Sequence, residues 1–188
     1  MKILDLNRPA AQRVIGLDCS TNSIAFAIID SGRLTKWGEL DLSGRTVYDR
    51  ALDARQKMDA LAAEFGADFA CIESAVMVKN ILVAIKMAYV IGNVIASLRA
   101  MGCEIYEAKP LEWQTAIGNP VLKKIEKDSI AAANPGKAKT WYQNANRAFR
   151  KQRTIDFVLK KYGVAITSDN VSDSVGLADF AYNKLTRR

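Results

Sequence analysis

The sequence predicts an α/β domain in which one mixed sheet is covered by helices. Residues 14–42 have the pattern of three consecutive strands, and helical and strand patterns then alternate as far as residue 108. The composition is that of a globular chain, since 49% of the 188 residues are apolar and 25% are charged. This length is sufficient for one domain of ordinary size.

The first three strands are separated by polar turns. An apolar run at residues 14–18 is followed by the polar residues 20–22 and by a second apolar run at residues 23–29. Two strands joined by a tight turn explain this pattern, and the alternation of residues 34–42 predicts a third strand. We therefore expect an antiparallel meander of three strands.

Helices and strands alternate after the meander. Residues 47–65 are apolar at helical spacing, and residues 69–72 form a short apolar strand that ends in Glu73. Residues 80–101 predict a long helix, and residues 103–108 predict another strand. This order of elements gives one mixed sheet with helices packed on it.

The predicted helix at residues 80–101 is unusually apolar, with Lys86 and Arg99 as its charged residues. Lys86, Gly92 and Asn93 interrupt the run of about 20 apolar residues that a membrane span needs. A helix that is apolar on nearly every side is more simply buried twice, against the sheet and against a partner. We therefore expect a homodimer built partly on this helix, and no membrane contact.

Beyond Pro110 the chain becomes rich in basic residues. The predicted elements are a short helix at 123–133, a turn at 134–136, a longer helix at 139–162 and a last helix at 171–185. The net charge of +7 is concentrated at residues 119–161, which carry 11 basic and 3 acidic side chains. An anionic polymer as partner explains this concentration, and a solvated helix surface explains it equally well.

The sequence has no histidine, which excludes Ser-His-Asp hydrolysis, HExxH proteolysis and histidine-based zinc sites. Cys19, Cys71 and Cys103 lie in or beside apolar runs without a C-x-x-C motif, so we expect reduced core thiols of an intracellular protein. Residues 1–13 do not have the apolar segment of a signal peptide, and we expect a cytoplasmic location.

Three carboxylates lie where a structural role explains them poorly. Asp18 and Glu73 each end an apolar strand, and Asp173 lies in the first turn of the last predicted helix, on its apolar side. Each also has a structural explanation: a turn cap, the start of a loop, and a capping box with Asn170 as N-cap. Clustered carboxylates bind Mg²⁺ or Mn²⁺. Two such ions, roughly 4 Å apart, can activate water and stabilise the leaving oxygen of a phosphodiester.

Three stretches of the chain resemble one known family. They are Ile15-Gly-Leu-Asp-Cys-Ser-Thr-Asn22, Cys71-Ile-Glu-Ser-Ala-Val-Met-Val-Lys-Asn80 and Asn170-Val-Ser-Asp-Ser-Val-Gly-Leu-Ala178. In the order and spacing of these stretches, the chain resembles the RuvC-like Holliday junction resolvases of the RNase H-like superfamily, in particular their compact bacteriophage forms. The resemblance covers most of residues 14–182.

The resemblance implies an RNase H-like mixed five-stranded sheet flanked by helices, in a single nuclease domain over residues 1–188 with a basic helical insertion at about 119–150. It also implies a metal-dependent crossover junction endodeoxyribonuclease that cuts branched DNA as a homodimer, by paired phosphodiester hydrolysis. Two Mg²⁺ ions per active site are expected, with Mn²⁺ able to substitute. Asp18, Glu73 and Asp173 are the implied metal ligands.

Two positions depart from the family pattern. The family usually has an acid or a histidine three residues before the last Asp, where this chain has Asn170, and Asp169 could substitute for it. The cellular enzymes have a base-stacking aromatic three residues after the catalytic Glu, where this chain has Val76, so a relaxed cut-site preference is expected. Lys79 matches a basic position of the family and would approach a phosphate, although an exposed helix start explains it equally well.

Seven basic residues are expected to line the path of the DNA arms and to bind phosphates without reading bases. They are Lys123, Lys124, Lys127, Arg147, Arg150, Lys151 and Arg153. Lys151 is also expected near the carboxylates, as a cation beside the scissile phosphate.

Other functions fit part of the pattern. An actin-like ATPase or sugar kinase also begins with a strand, an Asp and a Ser/Thr turn, but it needs two such domains and a glycine-rich loop, and Gly176 stands alone. A branched-DNA-binding module of the same fold, without strong catalysis, is favoured by the amide of Asn170. The three core acids oppose that reading, because buried carboxylates without a metal cost stability. A nuclease that cuts flaps or forks fits the same residues.

Overall fold

A computed structural model describes residues 13–74 and 80–186 of the chain. The strands are β1 Arg13–Cys19, β2 Ser23–Asp30, β3 Arg33–Asp41, β4 Phe69–Glu73 and β5 Glu104–Ala108. The helices of these residues are α1 Val47–Phe65, α2 Ile81–Ala100, α3 Pro110–Ala116, α4 Lys124–Ala133, α5 Lys139–Tyr162 and α6 Asp169–Thr186.

The five strands form one sheet in the order β3-β2-β1-β4-β5. β2 pairs antiparallel with both β1 and β3, which makes the predicted meander. β4 pairs parallel with both β1 and β5, and these parallel pairs are connected through helices, as their geometry requires. The predicted mixed five-stranded sheet is therefore confirmed.

Helices cover both faces of this sheet. On one face, Leu17 and Ile72 belong to a core that includes residues of α1 and α2. On the other face, α6 packs directly on β1 and β2, and α3 and α5 pack against α6. The domain thus has three layers, and the carboxyl ends of β1 and β4 lie at one edge of the middle layer.

The helix α3 was not expected from the sequence. It has seven residues, which is less than two helical turns and too short for a helical period to show in the sequence. Trp113 is its fully buried residue. It begins with Pro110, which suits a first helical position because proline has no backbone N–H to leave unpaired.

The last helix begins two residues earlier than the sequence predicts. Ser168 Oγ accepts a hydrogen bond from the backbone N–H of Val171 at 3.3 Å, so the capping residue is Ser168 and α6 starts at Asp169. The alternative of a capping box with Asn170 as N-cap is therefore wrong. Asp173 lies in the second turn of α6 instead of the first.

One half of α2 presents an apolar surface to solvent. Val90, Val94 and Leu98 are buried in the core with α1. The exposed apolar residues of α2 are Ile81, Leu82, Val83, Ile85 and Tyr89. Among the described residues, α2 is also the one helix that is long and apolar enough to cross a membrane, and 22% of its most apolar window is buried. Length and composition of this kind are weak grounds for a membrane span, because core helices share them.

Candidate active site

Asp18 and Glu73 lie side by side at the carboxyl ends of two parallel strands. Leu17 of β1 is paired with Ile72 of β4, so the next residue of each strand lies at the same edge of the sheet. Leu17 and Ile72 point into the core beneath α1 and α2. Because side chains alternate along a strand, Asp18 and Glu73 point to the opposite face, which α6 covers.

Asp173 is brought to the same place by the close packing of α6 on β1. A Cβ atom at Gly16 would lie 2.1 Å from the carbonyl oxygen of Ser174, so only glycine allows this approach. Gly16 precedes Asp18 by two residues and therefore faces α6 as Asp18 does. Asp173, next to Ser174, is close enough to Asp18 for the charge of Asp18 to raise the pKa of Asp173.

Burial and neighbouring charge raise the pKa values of the three carboxylates. Burial, followed by the charge of Glu73, raises the pKa of Asp18 to about 6. Burial, followed by the charges of Asp18 and Glu73, raises the pKa of Asp173 to about 7. Burial also raises the pKa of Glu73. Half-buried acids whose charges act on one another in this way form a negative site, which a bound cation would stabilise.

Trp113 of α3 holds the side chain of Glu73. The indole Nε1 donates a hydrogen bond to Glu73 Oε1 at 3.1 Å, and the ring is fully buried. Gly176 of α6 makes room for this ring, because a Cβ atom there would lie 2.6 Å from a ring carbon of Trp113. No sequence pattern predicts the contact, since it joins a short helix to a strand 40 residues away.

Thr154 of α5 holds the side chain of Asp173. Asn119 Nδ2 donates to the hydroxyl oxygen of Thr154 at 3.1 Å, and the Thr154 hydroxyl in turn donates to the Asp173 carboxylate. Asn119 and Thr154 are each 1% exposed. This buried chain of hydrogen bonds favours the ionised form of Asp173 and fixes its position. The sequence did not indicate this network, because Asn119 lies in a loop and Thr154 lies on a helix that is mainly exposed.

Glu39 is a fourth acid on the same face of the sheet, and the sequence did not indicate it. The register places Asp18 opposite Ala25, and Ala25 opposite Glu39, so the three side chains share a face. After burial and the charge of Glu73, the charge of Glu39 also raises the pKa of Asp18. Glu39 Oε1 accepts a hydrogen bond from Asn170 Nδ2 at 3.1 Å. Strand alternation alone places the side chain of Glu39 on the face of the sheet opposite to that of Leu40. The closeness of Glu39 to Asp18 depends also on the register of β1, β2 and β3.

Lys151 of α5 lies close to the carboxylates. Its ammonium group forms an ion pair with Asp169, at the start of α6. Its positive charge opposes the rise in pKa that burial causes at Asp18 and Asp173. Of the two residues considered for the fourth ligand position, Asp169 is thus held by Lys151, and Asn170 is held by Glu39.

Several of the basic residues predicted to bind DNA surround a cavity beside Asp173. The cavity has a volume of about 530 Å³, and its basic residues are Lys127, Arg147, Arg150 and Lys151. The guanidinium of Arg150 is tied to the protein itself, because it donates to the Gln114 side chain and to the backbone oxygen of Asn119.

The remaining basic residues do not line the cavity beside Asp173. Arg153 forms an ion pair with Glu126, which joins α5 to α4, and it lines a second cavity together with Lys123. Lys124 is exposed at the first position of α4. The predictions for Val76 and Lys79 lie outside the described residues.

The residues at the site fit a divalent cation that prefers oxygen ligands. Three carboxylates and the amide of Asn170 are hard oxygen donors of the kind that Mg²⁺ and Mn²⁺ take. Within residues 13–74 and 80–186, no three acidic or cysteine side chains have the spacing of a formed metal site. Repulsion between the carboxylates opposes a closer approach, and a bound cation would offset that repulsion.

Comparison with known proteins gives a result at the level of structure. No protein-family model and no curated protein matches the sequence. The structure of T. thermophilus RuvC in complex with a Holliday junction substrate matches with a TM-score of 0.69 at 13% identity, over 92% of this chain and 94% of that chain. A second Thermus thermophilus RuvC structure matches with a TM-score of 0.65 at 15% identity, over 92% of this chain and 95% of that chain.

A yeast protein has the same architecture. The mitochondrial Holliday junction resolvase Ydc2 matches with a TM-score of 0.55 at 10% identity, over 95% of this chain and 81% of that chain. Identities this low establish the fold alone. The chain has the RuvC-like fold that its three motifs predict.

Proposed function

We propose that this chain is a metal-dependent endonuclease that resolves four-way DNA junctions by paired phosphodiester hydrolysis. Three carboxylates carry this proposal, because Asp18, Glu73 and Asp173 lie half-buried at one edge of the sheet, burial raises the pKa of each of them, and the charge of Glu73 raises the pKa values of Asp18 and Asp173 further. Such an arrangement costs stability, and a catalytic cation explains why it is present. The similarity in fold to RuvC, whose structure in complex with a Holliday junction substrate is known, supports branched DNA as the substrate.

Two Mg²⁺ ions, or Mn²⁺ in their place, are the proposed cofactors. Their ligands would be Asp18, Glu73, Asp173 and the amide oxygen of Asn170. When bound, such ions supply an activated water and stabilise the leaving oxygen of the phosphodiester. The hydrogen bonds from Trp113 and Thr154 would keep two of the ligands in position. Lys151 would place a positive charge beside the scissile phosphate.

The basic insertion at about 119–150 is the proposed surface for the DNA arms. Its cavity next to Asp173 is lined by Lys127 and Arg147, which project from two different helices. Phosphate contacts of this kind are independent of sequence and weaken steeply as the salt concentration rises. A junction bound here would lie with a backbone phosphate near the carboxylates.

The exposed apolar half of α2 is the proposed interface of a homodimer. Tyr48 of α1 extends this surface, since its ring centroid lies 5.5 Å from that of Tyr89, and Tyr48 is 67% exposed. An exposed apolar surface of this kind is typical of an interface between subunits. A two-fold symmetric dimer carries two active sites, and paired cuts in a four-way junction require two.

The test is cleavage of a synthetic four-way junction and of a matched linear duplex, in Mg²⁺, Mn²⁺ or EDTA. The inactive variants are Asp18→Asn and Glu73→Gln, and the matched control is Glu64→Gln, an exposed acid of α1 whose side chain is 64% exposed. We expect paired nicks in the junction alone, which require a divalent metal, are lost in both inactive variants and are unchanged in the control.

Other outcomes would assign another function. Binding of the junction without cleavage in any metal would favour the branched-DNA-binding module and would make the amide of Asn170 the reason for inactivity. Cleavage of flaps or forks in preference to the junction would keep the chemistry and change the substrate.

A further inference from the structure

Asp169 and Lys151 form an ion pair beside the carboxylate site, which consists of Asp18, Glu73 and Asp173. The Lys151 ammonium donates to Asp169 Oδ2, and this contact joins α5 to the first residue of α6. The side chain of Lys151 is 51% exposed and that of Asp169 is 35% exposed. Because ion pairs at this exposure contribute little to the free energy of folding, stability alone is a weak reason for the contact.

The carboxylates of Asp18 and Asp173 are alternative partners for the same ammonium group. The positive charge of Lys151 opposes the rise in pKa that burial, as the largest cause, produces in both acids, so it acts on both of them. Lys151 and Asp173 also line the same cavity of about 530 Å³. A lysine side chain is long and flexible, and its charge is attracted by every carboxylate within reach. Without a partner elsewhere, the ammonium would be drawn in among the acids.

Asp169 is placed where it holds this ammonium aside. It is the first residue of α6, and α6 is fixed against β1 by a close backbone contact. A Cβ atom at Gly16 would lie 2.1 Å from the carbonyl oxygen of Ser174, so the two elements meet at one defined position. The carboxylate of Asp169 is therefore attached to a helix whose position relative to Asp18 is set by packing.

We infer that Asp169, given the proposed nuclease function, is a positioning residue that keeps the Lys151 ammonium beside the carboxylate site and out of the place of the cation. An ammonium among the acids would neutralise part of their charge and compete with Mg²⁺ or Mn²⁺. Held by Asp169, the ammonium leaves the carboxylates to the cation and stays available to a phosphate oxygen. Asp169 thus acts through Lys151 and is not the fourth metal ligand.

Calorimetric titration with Mn²⁺ in the absence of DNA tests this role without reference to cleavage. The variants are Asp169→Asn, Lys151→Gln and the double variant that combines them. We expect Asp169→Asn to weaken Mn²⁺ binding by about tenfold when Lys151 is present, and by about twofold or less in the Lys151→Gln protein. The smaller effect is the loss of one partly exposed negative charge, which acts on the metal directly.

Asp156→Asn is the matched control. Asp156 is an exposed acid of α5 that accepts a hydrogen bond from Gln152 Nε2 at 2.9 Å, and it does not line the cavity beside Asp173. The substitution removes the same charge from a hydrogen-bonded acid, and Mn²⁺ binding should be unchanged. Urea denaturation of each variant checks that it is folded under the conditions of the titration.

The rate of junction cleavage at saturating Mn²⁺ gives a second reading, because competition for the metal site is then removed. We expect Asp169→Asn to lower the single-turnover rate by about fivefold, since the ammonium is no longer held near the scissile phosphate. In the Lys151→Gln protein, Asp169→Asn should not lower the rate further. A purely structural role of Asp169 at the start of α6 would lower both rates alike.

The outcomes separate the role of Asp169 from the nuclease function. An equal loss of Mn²⁺ affinity with and without Lys151 would overturn the proposed role and make Asp169 a metal ligand. An Asp169→Asn protein that binds Mn²⁺ as the unaltered protein does would overturn it as well. Mn²⁺ binding with the expected dependence on Lys151, but without cleavage of any DNA, would support the role of Asp169 at the metal site and overturn the nuclease function. An unaltered protein that binds no Mn²⁺ would overturn both.

Discussion

Glu39 Oε1 accepts a hydrogen bond from Asn170 Nδ2 at 3.1 Å, which sets the orientation of the amide in the candidate metal site. An ionised carboxylate only accepts hydrogen bonds, so the amide nitrogen faces Glu39 and the amide oxygen remains available as a ligand. Ser168 Oγ donates to the other oxygen of Glu39 at 3.4 Å and holds the carboxylate at the start of α6. Asn170 lies three residues before Asp173 and therefore on the same side of the helix.

Glu39→Ala should weaken the binding of Mn²⁺ or Mg²⁺ by about tenfold, because the amide of Asn170 would then rotate freely and the site would lose a negative charge. The binding is measured by isothermal titration calorimetry, which does not depend on activity. Glu64→Ala, which removes an exposed acid of α1, is the control and should leave the binding unchanged.

A stricter test of the hydrogen bond between Glu39 and Asn170 exchanges the carboxylate and the amide between the two positions. In the double variant Glu39→Gln with Asn170→Asp, the introduced amide donates to the introduced carboxylate, so the hydrogen bond is kept with its direction reversed. Metal binding should return at least to the level of the unaltered protein, because the site regains an acid at position 170. A double variant that binds no better than Glu39→Ala would show that Glu39 does not position residue 170.

Asp18→Asn should stabilise the metal-free protein. In the folded state the pKa values of Asp18 and Asp173 are about 6 and about 7, against an ordinary value of 3.8. The folded protein therefore holds protons that the unfolded chain has lost, and its stability falls as the pH rises from about 4 to about 7. At pH 8 in EDTA the substitution removes one of the mutually repelling charges, and the free energy of unfolding should rise by about 1–2 kcal/mol.

The measurement for this prediction is urea denaturation at two pH values. The gain from Asp18→Asn should be smaller at pH 5, where the carboxyl group of Asp18 is already protonated in most folded molecules. Saturating Mg²⁺ should stabilise the unaltered protein more than the variant at pH 8. A variant that is less stable than the unaltered protein at pH 8 in EDTA would show that repulsion between Asp18 and the neighbouring carboxylates does not destabilise the metal-free protein.

The sequence predicts most of the fold because the long elements have clear periodicity. The apolar runs of β1 and β4 also place Asp18 and Glu73, since an acid at the end of a buried strand is conspicuous. The contacts of Glu39 and Trp113 could not be predicted in this way. Glu39 comes near Asp18 only through the register of three strands, and Trp113 reaches Glu73 only because Gly176 allows α3 to pack closely on α6.

Trp113→Phe should weaken the candidate site and leave the core largely filled. The phenyl ring retains much of the buried apolar volume, but the donor to Glu73 Oε1 is lost. The pKa of Glu73, which burial already raises, should rise further without that hydrogen bond. Protons would then compete better with the metal, and the affinity for Mn²⁺ at pH 7 should fall by about tenfold.

Calorimetric titration with Mn²⁺ at pH 7 and pH 8.5 measures this effect. The loss of affinity should be smaller at pH 8.5, because Glu73 is then ionised in both proteins. Trp141→Phe, at a partly exposed tryptophan of α5, is the matched control and should bind the metal normally. An equal loss at both pH values would point to a displaced Glu73 instead of an altered pKa.

Ile85→Glu should separate the two copies of the proposed dimer. Ile85 is 42% exposed in the middle of the apolar half of α2, and a buried carboxylate at a two-fold interface would face its own copy. Sedimentation equilibrium should show a dimer for the unaltered protein and a monomer for the variant, and the variant should nick the junction once instead of cutting it in pairs. Leu159→Glu, at a residue of α5 that is 50% exposed, should remain dimeric. Because the three carboxylates belong to one chain, metal binding should be unchanged in both variants, and an unaltered protein that sediments as a monomer would rule out this interface.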